Sequence, residues 1–229
     1  MIRPNDAAKF AEWIRLAKGD VALVYDAIAI SKFQSPSGYV KEQDIINHIN
    51  YNVKTAEQTG MKIIQAPNEY WRLKTEITLF LGGSIEQGKA RNWQAETIEF
   101  LKVQPYADNL VVYNPRRDDW DASWSNTAEF EPFKEQVIWE LKYQELGNYT
   151  HLNTYYFCEG TLSPITLLEA GLHGNFSVVG MDEAYPRRGN LEITADFYSW
   201  DISIGFDNYL KSLDKELLKN FDLLKIKNG

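Results

Sequence analysis

From residue 76 onward, short apolar runs alternate with longer amphipathic stretches, and no other feature of the chain constrains its fold as strongly. The run Ile77-Thr-Leu-Phe-Leu81 ends in Gly82-Gly83, as a strand covered on both faces does. Further strands are expected at residues 110–113, 152–157, 176–180 and 191–195. Helices are expected between and after them at 86–103, 129–146, 163–173 and 206–221. Strand–helix alternation of this kind predicts an α/β fold, a largely parallel sheet of about five strands with helices on both faces.

The N-terminal part reads differently. Pro4 and Asn5 can open a helix that buries Ala8, Ala11, Trp13, Ile14 and Leu16, with Gly19 as its stop. A second helix is expected over 20–31, a break over 34–38, and a third helix over 41–59 with Ile45, Ile46, Ile49 and Val53 at helical spacing. The expected organisation is a helical N-terminal extension (1–60), a connector (61–75) and an α/β domain (76–229). The extension's aromatics, Phe10, Trp13, Tyr25, Tyr39 and Tyr51, suit covering the domain, an oligomer interface or a lid.

Composition narrows the function. The 229 residues are 44% apolar, enough for a real core, yet no apolar run is long enough to cross a bilayer. The first ten residues lack the apolar stretch of a secretory signal, and Cys158 is the single cysteine, so a reducing, cytoplasmic setting is expected. A net charge of −8 argues against binding duplex nucleic acid. Arg116-Arg117 and Arg187-Arg188 are the only tight cationic pairs; they suit either a small phosphorylated ligand or plain solvation. The histidines (His48, His151, His173) have no metal-ligand spacing, and there is no phosphate-binding P-loop, so neither metal nor cofactor is expected.

In parallel sheets, ligands bind at the carboxyl ends of the strands. That rule selects the loops beginning at Gly82, Asn114, Cys158 and Gly180. The second of them, Asn114-Pro-Arg-Arg-Asp-Asp-Trp-Asp121, sets Trp120 among three carboxylates and two guanidiniums, a mixture suited to a base, a sugar or a phosphate. After the 152–157 strand, Ser163 has helix-capping chemistry, Pro164 suits a first helical turn, and the helix start offers unpaired N–H groups to an anion. On that helix Glu169 stands among Leu167, Leu168, Ala170 and Leu172. A carboxylate in apolar surroundings needs a reason, and nucleophilic catalysis supplies one.

These segments carry a resemblance. Phe80-Leu-Gly-Gly-Ser-Ile-Glu-Gln-Gly-Lys-Ala90 with Trp93-Gln94, the 114–121 loop, Glu135-Gln-Val-Ile-Trp-Glu-Leu141 and Ser163-Pro-Ile-Thr-Leu-Leu-Glu-Ala-Gly171 together resemble the nucleoside 2-deoxyribosyltransferase-like family over about residues 76–200. The resemblance implies a flavodoxin-like, Rossmann-like sheet and double displacement at an anomeric carbon. Glu169 would attack C1′ and form a glycosyl ester, and a second base or water would resolve it. The 114–121 loop would hold the base, with Asp119 or Asp121 as proton donor. Gly83, Ser84, Gln94, Asn114, Arg116, Trp120 and Ser163 would contact the substrate, with Ser163 at the position that meets a 5′-phosphate in some relatives. Asn190 resembles an asparagine lent to a neighbouring subunit.

The resemblance further implies a small nucleoside or nucleotide as partner and a homo-oligomer, a dimer or larger. One departure stands out: Thr150-His151 occupies the place of an Ala-Asp pair, so His151 is either a replacement acid/base or a structural histidine. A second reading follows from it, a nucleotide-sensing module whose catalysis has decayed and whose helical extension binds a partner.

Overall fold

The computed structural model describes residues 4–33, 42–70, 72–73, 75–86, 90–121, 123–146 and 150–228. The expected break at 34–38, Tyr39 and the 87–89 part of the first motif lie outside them. Two compact units are present, one of residues 1–59 with 69–73, the other of 60–68 with 74–229.

The first unit packs helices α1 (Pro4–Leu16), α2 (Val21–Phe33) and α3 (Glu42–Ala56). Its core is Ala17, Leu23, Val24, Ala27, Ile45 and Ile49, and Phe10, Trp13 and Val53 lean on it. Asp20 caps α2 by accepting from the Leu23 N–H at 3.0 Å. Ion pairs Lys9–Glu42 and Lys18–Glu57 tie α1 and the turn after it to the two ends of α3.

The second unit is a six-stranded, wholly parallel sheet in the order β1-β3-β2-β4-β5-β6. The strands are β1 (Lys62–Gln65), β2 (Ile77–Gly83), β3 (Leu110–Asn114), β4 (His151–Phe157), β5 (Ser177–Met181) and β6 (Ile202–Ile204). Helices α4 (Trp93–Leu101), α5 (Glu131–Gln144), α6 (Pro164–His173), α7 (Arg188–Tyr198) and α8 (Phe206–Asn228) complete it. This is the α/β arrangement expected from the alternation, with six strands in place of about five, in the Rossmann-like, flavodoxin-like form that the resemblance implies.

Strand side chains alternate between two apolar faces. On one face Leu79, Leu81, Val112, Tyr156 and Val178 meet Trp93, Leu101, Tyr209, Leu213 and Leu217 from α4 and α8. On the other, Tyr113 stacks on Tyr143 of α5 at 4.0 Å, and Tyr155, Phe157, Val179 and Met181 meet Ala170 of α6 and Leu191 of α7. The strand order reverses between β2 and β4, so a crevice opens where their carboxyl ends diverge.

Three expectations change. The strand expected at 191–195 is the middle of α7: Leu191 and Ala195 are buried at a four-residue spacing, whereas Ile193 between them is 74% exposed. The connector contains β1, an edge strand anchored by a buried ion pair, Lys62 Nζ to Glu76 Oε1 at 2.8 Å. The helix expected from residue 86 begins at Trp93, where Asn92 accepts from the Ala95 N–H at 3.2 Å. No described helix is long and apolar enough to cross a membrane.

Candidate active site

At the crevice, Gly83 lets β2 pass close beneath its neighbours. Its φ of +154° and a hypothetical Cβ only 2.5 Å from the Tyr156 carbonyl oxygen exclude any side chain. Ser84 follows, buried, with its hydroxyl 2.5 Å from that of Ser163 and 3.0 Å from that of Thr161; it also accepts from the Cys158 N–H at 2.9 Å. The two serines named by the sequence are therefore joined directly. Ser163 does not cap α6 with its side chain. Its φ of +47° turns the hydroxyl towards Ser84 and Thr161 instead. Glu86 takes the capping role across the crevice, and its Oε1 accepts from the N–H groups of Leu162 (2.9 Å) and Ser163 (2.7 Å). Beside this contact lies a cavity of about 810 Å³ whose lining includes Glu86, Arg91, Glu159, Asp182 and Glu183.

Glu169 faces α5 rather than this cavity. Gln144 Nε2 donates to its Oε1 at 2.8 Å, and Tyr155 Oη donates to Gln144 Oε1 at 2.7 Å. Burial pushes the Glu169 carboxyl well above the usual carboxylate range, and the charge of Glu140 on α5 pushes it further. Glu140 is raised as well by burial, although it accepts from Gln136 Nε2 at 2.8 Å. Both carboxyls are biased towards the protonated form, and their titrations are linked through the charge of Glu140 on Glu169. Glu140 is not recognisable as a site residue from the sequence, because its pairing with Glu169 is made through space across 29 positions of chain.

The 114–121 loop is held down by its own backbone. Asn114 Oδ1 accepts from the Arg116 N–H (3.0 Å), and Gln136 Nε2 donates to the Pro115 carbonyl (2.9 Å). The Arg116 guanidinium reaches Gln94 Oε1 and the carbonyls of Ala90 and Arg91, each at 3.3 Å. Gln94 is fully buried, and its Nε2 has no partner among the described residues. Trp120 joins an aromatic cluster with Trp124, 5.1 Å away.

The expected proton donors fit poorly. Asp119 is held by Arg117 through two 2.8 Å bonds, and Asp121 accepts from the Ser123 N–H; both carboxyls lie below their usual range. They are ionised at neutral pH and have no proton to give. His151 starts β4, at the sheet's amino edge. Its Nδ1 meets Thr78 Oγ1 at 2.8 Å and its Nε2 meets Asn153 Oδ1 at 3.0 Å. Six residues of strand, about 20 Å, separate it from the carboxyl end of β4. Asn190 is exposed on the first turn of α7, bonded to none of the other candidates. The geometry thus gathers Gly83, Ser84 and Ser163 at one point, Gln94, Asn114 and Arg116 at a second, and Glu169 with Glu140 at a third.

No curated protein matches the chain. Residues 76–183, the segment that builds β2 to β5 and carries Ser84, Glu140 and Glu169, match the family model described as nucleoside 2-deoxyribosyltransferase like.

Proposed function

We propose that the chain cleaves or exchanges the N-glycosidic bond of a nucleoside or nucleoside 5′-monophosphate, with Glu169 as nucleophile. The family match supports a function of the glycosyl-transfer type. The observation that carries the finer reading is the pair of raised carboxyls on α5 and α6, Glu140 and Glu169. In the first step Glu169 passes its proton to Glu140 and, as carboxylate, forms an ester bond to C1′ while the C1′–N bond breaks. The electron pair leaves with the base, and Glu140 supplies the proton. In the second step water or another base attacks C1′, the ester breaks, Glu169 is regenerated and the proton returns to Glu140. This is the two-carboxyl logic of retaining glycosidases applied to an N-glycoside.

Base release measured by chromatography tests it, with wild type and Glu169→Gln run over a panel of nucleosides, with and without a second free base. Release that depends on Glu169 supports the reading, a newly formed nucleoside decides for transfer, and full activity in Glu169→Gln overturns it. The alternative, a binding module without turnover, draws on the positions of Asp119, Asp121 and His151, none of which is hydrogen-bonded to Glu169. Tight nucleoside binding with no release from any substrate would select it.

A further inference from the structure

We propose that Asn153, held in place by His151, is the positioning residue that fixes Gln144 against Glu169. The proposal rests on the glycosidic reading above and assigns to that reaction a residue that acts without touching the substrate.

β4 lies between β2 and β5, inside the parallel sheet, where apolar side chains are the rule. On the face turned to α5 and α6 it instead presents His151, Asn153 and Tyr155 at alternate positions. Asn153 is buried, and a buried amide is costly unless both of its ends are bonded. Both are: Nδ2 donates to the Gln144 carbonyl at 3.0 Å, and Oδ1 lies 3.0 Å from His151 Nε2. That carbonyl belongs to the last residue of α5, where the helix itself supplies no donor.

The direction of every bond follows from this one acceptor. A carbonyl only accepts, so Nδ2 faces it and Oδ1 faces the imidazole. Oδ1 in turn needs a donor, so neutral His151 carries its hydrogen on Nε2, and Nδ1 accepts from the Thr78 hydroxyl at 2.8 Å. Further along β4, Tyr155 donates to Gln144 Oε1, so the strand grips Gln144 by its backbone and its side chain together. The end of the amide that remains is the one bonded to Glu169 at 2.8 Å. Tyr155 orients that amide, and Asn153 stops it from drifting with the end of α5.

The test uses the full chain as wild type, Asn153→Leu, Gln144→Leu, their double variant, His151→Phe and His151→Gln. The first readout needs no catalysis: the titration of the Glu169 carboxyl by infrared difference spectroscopy, with Glu169→Gln to identify its band. Glu140 on α5, Glu145 after it, Tyr155 on β4 and His173, which faces Glu145, are the titratable groups around Glu169, and every variant in the comparison keeps them. Asn153→Leu is expected to move the titration to higher pH, as Gln144→Leu does, and the double variant no further than Gln144→Leu alone. For base release, kcat should fall by about tenfold with KM nearly unchanged, and the acid limb of the pH–rate profile should move the same way. His151→Phe should follow Asn153→Leu, whereas His151→Gln, whose amide donates from the place of Nε2, should recover much of the loss. An Asn153→Leu titration like that of wild type would overturn the proposal, and so would effects of Asn153→Leu and Gln144→Leu that add. The two His151 variants carry the comparison where Asn153→Leu folds poorly. Should no protein release base while the titration still moves, the glycosidic reading falls and the placement of Gln144 by Asn153 stands.

Discussion

Gln144 Nε2 donates to Glu169 Oε1 at 2.8 Å, and the orientation of that amide is set from the other side. Tyr155 donates to Gln144 Oε1, which leaves the NH₂ group facing the carboxylate. The Gln144 carbonyl in turn accepts from Asn153 Nδ2 at 3.0 Å, so β4 holds the end of α5 in register with α6.

Gln144→Leu removes the one hydrogen bond that opposes the upward push on Glu169. The acid limb of the pH–rate profile is expected to move to higher pH, with kcat reduced on the order of tenfold to a hundredfold near neutrality. Tyr155→Phe should give a smaller shift of the same sign. A profile that does not move would show that Gln144 plays no part in tuning Glu169.

Glu169→Gln should lower base release by about a thousandfold or more while raising stability at alkaline pH. The sign follows from the raised carboxyls. The folded chain keeps a proton that the unfolded chain gives up near the usual carboxylate value, so this contribution is complete below that value. It is lost as pH rises through the folded values. Wild type should therefore lose stability between about pH 5 and pH 9 more steeply than Glu169→Gln or Glu140→Gln. The gap at the alkaline end is expected on the order of 1 kcal/mol, as water reaches both groups. Denaturant titrations across pH measure it.

Asp119→Asn and Asp121→Asn should leave the shape of the pH–rate profile unchanged and kcat within about threefold, because both carboxyls are already ionised. A kcat loss of a hundredfold in either variant would restore it as the proton donor in place of Glu140.

Lys62→Met or Glu76→Leu leaves one buried charge without its partner. Each is expected to destabilise the α/β unit by about 3–5 kcal/mol, and the double variant by much less. Single variants as stable as wild type in denaturant unfolding would remove the pair from the forces that anchor β1.

Much of this protein was legible in its residues. Runs such as Ile77–Gly83 are apolar on both faces, so they demand a sheet covered on both sides, and the helices between them make it parallel. Glu169 was visible as a carboxylate in an apolar helix, and Ser84 and Ser163 as residues of strand-end loops. What failed locally did so for identifiable reasons. Leu191, Ile193 and Ala195 satisfy a two-residue period as well as part of a helical one, and only packing against Phe157 and Met181 decides that Ile193 stays outside. β1 has four residues, begins with a lysine and becomes a strand because β3 offers an open edge and Glu76 neutralises the charge.

His151 could have been set aside from sequence, since the first residue of a parallel strand lies at the edge away from the crevice. Glu86 and Glu140 could not have been assigned that way. Side-chain periodicity reports which face a residue occupies, and it carries no information about which distant group shares that face. The pairing of Glu140 with Glu169, and the reach of Glu86 to the start of α6, exist only because the sheet brings separate segments of the chain together.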